Sequence, residues 1–575
     1  MTTATAESAN WMRPADQVMR LPRLGSLHAS RLSFSRSLVR QMAREDWVVS
    51  TVRFDLDDHG HGTVVYRLET PGSTYHGVVF SQALDPERRS DRVIAEAWDV
   101  TFALVEGEVE DTLLAQMAAN VPLQEAGRQH PRLLVLSRAN KSMRNFSQFV
   151  DALGAGQQPD PAWLTAVGYL YRTTAVYGNG KFGIADYARL QRNPDFSRPF
   201  SAQMFAVYLL RHFSIEQVNH LAKIQAPHTA VPLAPALQRY MGIGNSTGLG
   251  MAPFLINHPQ LIQQWVYGRE RALAHARLQS ATDEGMARMT ALLHRARTHF
   301  QQTVTEDEEQ TARNRETVQS IAVIIDWLDR TSPAPDLWVE LQAWAESHCS
   351  MEAQELINTL LIELYPELID PVEDELGCEE ILELQPEMKA RELLQLIESR
   401  FSWALDYDPD DDAHNHWFWY RSAEKEEPRL GVRGQEIGVE KEMPLAIGPR
   451  IHEVHWRLKR FLDTAPNGLV VEFLLANPSQ KECVRRIQTM GQTSYGEIQA
   501  NLWHRDMKPM HLLRTKLSFF GASRFDPKSD RWVRVTLFQG APLFSELFSH
   551  HGTDEKRLNQ LDDWSFPVEP DQVEL

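Results

Sequence analysis

The spacing of apolar residues changes period along this chain, and that change limits the architectures open to it. After Trp47 the period is two: Val52, Phe54 and Leu56 alternate with Thr51, Arg53 and Asp55. Beyond the Asp57-Asp58-His59-Gly60 turn, Val64, Tyr66 and Leu68 alternate again, and Pro71-Gly72 leads into Val78-Val79-Phe80. This stretch predicts an antiparallel meander. Strand-like runs at 98–105, 133–136 and 167–177 continue it, separated by predicted helices at 112–119 and 146–153. Past Phe200 the step becomes three to four, in Met204, Val207, Tyr208, Val218 and Leu221, then Leu261, Ile262 and Trp265, and later Leu356, Leu360, Leu361 and Leu364. Strand alternation returns at Val533, Val535 and Leu537. Blocks of one period followed by blocks of the other predict an α+β, mixed α/β fold.

A chain of 575 residues exceeds a single domain core and divides here into several units. The pattern predicts a flexible arginine-rich segment at 1–45 and an α+β domain with the antiparallel sheet at 46–200. A helix-rich domain follows at 201–405, and a smaller C-terminal α+β region at 406–575, placed after the polar loop that starts near Tyr407. The first fifty residues hold seven arginines and no lysine, which invites a transit-peptide reading that their four acidic groups oppose.

Charge narrows the classes of partner. The net charge is −18, and residues 351–400 alone carry 14 acidic and 3 basic side chains. Nucleic acid is therefore not an expected partner, since phosphate binding needs a basic surface. The acidic block reads as a solvated helix face, ahead of a docking surface for a basic protein. Cys349, Cys378 and Cys483 lie far apart with no C-x-x-C pair, which suits a reducing, cytoplasmic setting and suggests neither disulfides nor a zinc knuckle. No apolar run reaches the length of a membrane span, so no membrane partner is expected.

The most specific local feature is the run Gly242-Ile243-Gly244-Asn245-Ser246-Thr247-Gly248-Leu249-Gly250. Read as a loop, it lets backbone N–H groups of Gly242, Gly244, Gly248 and Gly250 approach an anion, with Asn245, Ser246 and Thr247 adding hydrogen bonds. Thr247 stands where a Rossmann fingerprint needs its third glycine, and no Gly-Lys-Ser/Thr follows, so neither dinucleotide nor P-loop motif is present. The same run holds Gly244-x-Ser246-x-Gly248, the spacing of a hydrolase nucleophile elbow, without the apolar strand expected before it. A second glycine-rich stretch, Tyr177-Gly178-Asn179-Gly180-Lys181-Phe182-Gly183, predicts a hairpin turn. Lys181 could contact an anion there or act as an acid or base, beside Asn179 and Gly180.

His504-Arg505-Asp506-Met507-Lys508-Pro509 resembles the catalytic loop of protein kinases over six residues. His511 takes the place of that family's metal-binding Asn, no Asp-Phe-Gly follows, and no Gly-rich loop lies near the N-terminus, so the kinase reading stops there. His504 and Asp506 stay as candidate catalytic groups. His59 and His61, and His414 and His416, sit among aspartates that could bind metal, but both clusters read first as polar turns. The leading expectation is an enzyme of unspecified reaction and cofactor that binds a phosphate- or carboxylate-bearing small molecule. Its rivals are a scaffold using the acidic helical surface and a serine hydrolase using Ser246. Self-association is left open.

Overall fold

A computed structural model of the chain describes residues 11–85, 98–122, 130–143, 145–173, 190, 192–248, 254–303, 305–373, 375–376, 381–405, 417–422, 425–432, 439–443, 447–499, 509–529, 532–548 and 555–570. Its fold is α+β. The meander forms as expected, with β1 at Val48–Leu56, β2 at Gly62–Glu69, β3 at Thr74–Ser81, β4 at Val100–Glu106 and β5 at Leu133–Lys141. Helices α1 (Phe34–Arg44), α2 (Asp111–Asn120) and α3 (Phe146–Gly154) flank this part of the chain. Strand β6 (Tyr169–Thr173) pairs antiparallel to β5.

The sheet does not stop at the expected boundary near residue 200. Strand β7 (Gly242–Gly248) adds beside β6, and then come β12 (Trp532–Leu537) and β11 (Ala522–Ser529), giving nine strands in the order β1-β2-β3-β4-β5-β6-β7-β12-β11. Every neighbouring pair among these is antiparallel except β6 and β7, which run parallel. A parallel neighbour needs a crossover, and helix α4 (Ser201–Gln225) supplies it. Residues Trp417–Ser422 (β8), Lys425–Val432 (β9) and Val439–Met443 (β10) form a separate sheet ordered β10-β8-β9.

Helix α4 is buried along most of its length against one face of the large sheet. Tyr171 donates its hydroxyl to Gln217 at 2.8 Å, and Gln217 donates to the Gly60 carbonyl at 2.8 Å. The approach is close enough that a Cβ on Gly77 would lie 2.3 Å from Leu209. Glycine is needed there for contact rather than for backbone freedom.

A second core lies among α5 (Pro259–Arg277), α6 (Asp283–Gln302), α7 (Glu308–Asp329), α8 (Met351–Leu364) and α9 (Pro366–Glu373), where Leu293, Ile324, Leu360 and Leu361 are buried together. A third belongs to α10 (Ala390–Arg400), α11 (Ile447–Thr464), α12 (Val470–Ala476) and α13 (Lys481–Met490), built on Leu393, Ile397, Ile451 and Val484. This helical core draws on both sides of the boundary expected near 405. Finally α14 (Pro509–Phe520) leads the chain back into β11.

Within the segment expected to be flexible, the described residues 11–45 bury four of their arginines. Arg13, Arg31, Arg36 and Arg40 are at most 8% exposed, and Leu21, Leu24, Leu38 and Met42 of the same stretch are buried as well. Arg36 and Arg40 lie one turn apart on α1 and meet carboxylates from far along the sequence. Arg36 donates to both Glu363 oxygens at 3.0 and 2.9 Å and to Asp562 at 3.0 Å. Arg40 bonds Glu373 and, at 2.9 Å, Asp562. Arg13 forks onto Glu270 at 2.8 and 2.7 Å and reaches Glu355 at 2.5 Å, and Arg23 and Arg269 also donate to Glu355.

The acidic block is likewise not a solvated face at these positions: Glu352, Glu355, Glu363 and Glu373 are all buried. Both corrections have one cause: Glu355, Glu363 and Glu373 are counter-charges of Arg13, Arg23, Arg36 and Arg40, and Arg514 answers Glu352. Removing one partner leaves the rest uncompensated in a dry interior. Arg40→Met should therefore lower the unfolding free energy by about 3–5 kcal/mol. Arg40→Met with Glu373→Gln should lose less than the separate changes summed, and urea unfolding of the four proteins measures the difference.

Candidate functional site

The glycine run is not a loop over its described part. Residues Gly242–Gly248 form β7, paired with β12 from Ile243↔Leu537 to Gly248↔Trp532 and with β6 at Tyr169↔Gly242 and Arg172↔Gly244. Steric fit explains the glycine, because a Cβ on Gly244 would lie 2.6 Å from the Tyr169 ring. Buried Asn245 donates its amide to the Thr173 carbonyl at 2.8 Å, tying the two parallel strands together where the described part of β6 ends.

Ser246 sits within the strand opposite Arg534, and Thr247 opposite Val533. A nucleophile elbow needs a sharp strand-to-helix turn at the serine, and Ser246 is not at one. Gly250, Asn179, Gly180, Lys181, His504 and Asp506 lie outside the described residues. The first four belong to the stretches that follow the carboxyl ends of β7 and β6, and the last two precede α14.

Beside β6, the second half of β5 buries an unusual series of polar groups: Ser137, Arg138, Asn140, Lys141 and the following Ser142 are each at most 8% exposed. Ser137 and Thr173 share a hydroxyl hydrogen bond of 2.9 Å, and the Thr173 hydroxyl donates to the Arg138 carbonyl at 3.2 Å. The Arg138 guanidinium lies 3.8 Å from the centre of the Trp98 ring, and the Lys141 ammonium 4.8 Å from that of Phe146. Asp99 accepts from the Lys141 backbone N–H at 3.0 Å, while Asn140 accepts from the Asp99 N–H at 2.9 Å. Arg138 with Asn140, and Lys141 with Ser137, are thus buried on opposite faces of the sheet where β5, β6 and β7 adjoin, each a cation beside neutral polar groups. Such a set can hold an anionic group and orient it, since cations and N–H donors favour negative charge in a site of low dielectric.

A second polar cluster surrounds a cavity of about 50 Å³ lined by His28, His299, Glu352, Arg514, Asn314 and Ser523, among others. Arg514 donates to Glu352 at 2.5 Å, and the ring of His28 meets the Glu352 carbonyl at 3.2 Å. Burial, reinforced by Arg514, pushes the His28 imidazole down to about 4. Burial, with Arg524 and His28 adding to it, pushes His299 down to about 3. Both rings are therefore neutral at pH 7. On the same helix as Arg514, burial lowers the Lys516 ammonium to about 7, the range in which an amine can give or take a proton.

Sequence reasoning missed Arg138, Asn140 and Lys141 because the predicted strand stopped at Leu136. The signal was Ser137-Arg138-Ala139-Asn140-Lys141-Ser142 continuing that strand without apolar alternation. The histidine cavity had no local signal, since its residues come from five distant stretches. At the β1–β2 turn, Asp57 accepts from the backbone N–H groups of His59 and His61 at 2.9 and 2.8 Å, a capped turn of the kind aspartate forms. The cluster at His414 and His416 lies outside the described residues. Comparison with family models, with curated proteins and with solved structures finds no match.

These titrating groups set the response to acid. For a histidine whose folded value is lowered from about 6.5, the unfolded chain binds the proton first. Its share of stability is complete above about pH 6.5 and is lost as pH falls toward the folded value. Glu355 and Asp562 act in the same direction at lower pH. Burial alone would raise them, but Arg13 and Arg269, and Arg36 and Arg40, hold them below the carboxylate range. The unfolding free energy from urea titrations between pH 7.5 and 4 should fall from about pH 6.5 downward, by of order 2 kcal/mol for each histidine. His28→Gln with His299→Gln should move the onset to about pH 4.5, where carboxylates begin to protonate. Identical profiles for the two proteins would rule this out.

Proposed function

We propose that this protein is an enzyme acting on an anionic small molecule, phosphate- or carboxylate-bearing, held where the parallel strands β6 and β7 end. The observation that supports it most is the placement of this pair. It is the one parallel pairing in the described nine-stranded sheet, and Arg138 and Lys141 are buried on the adjoining strand. In sheets containing parallel strands, ligands bind outside the carboxyl ends, where connecting segments leave and backbone N–H groups are free to turn toward a ligand. The stretch after β6 carries Asn179, Gly180 and Lys181, and the one after β7 carries Gly250.

In this reading Arg138 and Lys181 neutralise the anion, the glycine-rich backbones contact its oxygens, and His504 and Asp506 are the proton donor and acceptor. The cations lower the energy of charge that develops during the reaction, and burial of Arg138 keeps water from screening it.

The test is a thermal-shift series with inorganic phosphate, sugar phosphates and small dicarboxylates on the wild type, Lys181→Ala and Arg138→Met. A ligand at about 100 times its dissociation constant adds about 2.7 kcal/mol. With an unfolding entropy of about 2.1 cal/mol/K per residue, that raises the melting temperature of a chain this long by about 2 °C. One anion class should produce the shift in the wild type, and both variants should lose it. If no anion stabilises the wild type, or both variants keep the full shift, the reading fails.

A further inference from the structure

A cleft of about 660 Å³ opens between the third helical core and the stretch from Met12 to Arg20. That volume lies in the range of small-molecule sites, about 300–1,000 Å³. Its walls are the carboxyl end of α10 with Trp403, the residues around Arg20, Tyr267 on α5, and the connection after α13. None of these belongs to the nine-stranded sheet.

The connection after α13 is built rather than slack. Tyr495 is held with φ at 57°, the left-handed region that a bulky residue rarely enters. Its buried side chain donates to the Arg13 carbonyl at 2.5 Å. Glu497 takes Arg486 at 2.6 Å, the Gln499 N–H donates to the Met19 carbonyl at 3.1 Å, and Gln263 donates to the Ser494 carbonyl at 3.0 Å. Strain kept in place by this many ties is characteristic of ligand-holding segments.

Charge and shape define the occupant. Arg13 is committed to Glu270 and Glu355, and Glu497 to Arg486, so neither offers net charge to the cleft. Of the charged lining residues this leaves Arg20, Arg400 and Asp16, a balance of one positive charge. Arg20 uses its Nε on the Asp16 backbone carbonyl at 2.8 Å, and the rest of its fork has no hydrogen-bonded partner among the described residues. Of the four aromatic residues in the wall, Phe401 and Tyr495 are buried, while Tyr267 is 37% exposed and Trp403 half-buried. Rings that remain exposed in a cleft offer flat apolar surface for stacking, and a guanidinium fork matches phosphate oxygens in pairs.

We propose that this cleft is a second binding site, taking a planar aromatic compound that carries phosphate, the nucleotide class. The ring stacks on Trp403 or Tyr267, and Arg20 and Arg400 receive the phosphate.

The experiment is equilibrium titration of the full chain with ATP labelled on its ribose by an N-methylanthraniloyl fluorophore. Wild type, R400A, R20A, W403A and K181A are compared, with circular dichroism confirming that each variant folds. Saturable binding to the wild type is expected. R400A and W403A should weaken it at least tenfold, R20A should weaken it as well, and K181A should leave it unchanged. Unlabelled adenosine and inorganic tripolyphosphate should each compete worse than unlabelled ATP. Arg20 and Arg400 are exposed, so their variants keep the test decisive if W403A fails to fold. Absence of binding overturns the proposal, as does binding indifferent to R400A and R20A. Loss in K181A alone would place the nucleotide at the sheet and overturn the cleft site while leaving the sheet reading standing.

Discussion

The fold rests on buried arginine–carboxylate pairing between parts of the chain that are hundreds of residues apart. Arg36 and Arg40 on α1 share Asp562 near the C-terminus, and they divide Glu363 and Glu373 between them. Arg13 and Arg269 clamp Glu270 and Glu355. Charges taken out of water gain little net stability over a well-packed apolar core, but an incomplete set is strongly destabilising. Such a lattice therefore acts mainly as a condition on assembly. Residues 11–44, the acidic helices and the C-terminal segment must all be in place before the whole set is satisfied. Contacts of this sequence separation form late and slowly, after the loops between them have closed.

Much of the architecture was legible because local pattern and final burial agree. The alternation of Val64, Tyr66 and Leu68 is the buried face of β2, and the steps through Met204, Val207 and Leu221 fall on buried positions of α4. The misreadings occurred where partners lie far off in sequence. Arginines are usually exposed, so seven of them in fifty residues suggested a mobile segment, and nothing nearby revealed Glu363 or Asp562. The same reasoning made Glu355 and Glu363 look like solvated face residues. Their spacing carried the contrary signal: Glu352, Glu355 and Glu363 recur close to the helical period and thus share a side of α8 with apolar neighbours.

The candidate site was legible only in part, for a related reason. Glycine and asparagine argued against a strand at 242–248, yet β-propensity mostly measures fit to neighbours. Here the neighbours decide, with Tyr169 occupying the space that a side chain at Gly244 would fill and β12 supplying the ladder on the other side. The run drew attention for the right residues and the wrong conformation. As a strand it cannot wrap an anion with Gly242 and Gly244, so any contact with a ligand falls to the residues after its carboxyl end and to the polar series on β5.

That division of labour links the sheet to the charge lattice. Helix α14 donates Arg514 to Glu352 of the acidic helix α8, and a few residues later the chain becomes β11, which pairs with β12 against β7. Asp562 then closes the lattice around α1. The C-terminal third therefore completes both the sheet edge beside the parallel pair and the ion pairs that hold residues 11–44. Since that segment also forms one wall of the large cleft, displacement of α1 would disturb the cleft, while loss of β12 would uncover β7. Both candidate ligand regions thus depend on long-range contacts that a division at residues 200 and 405 would have severed, and the nine-stranded sheet spans both divisions.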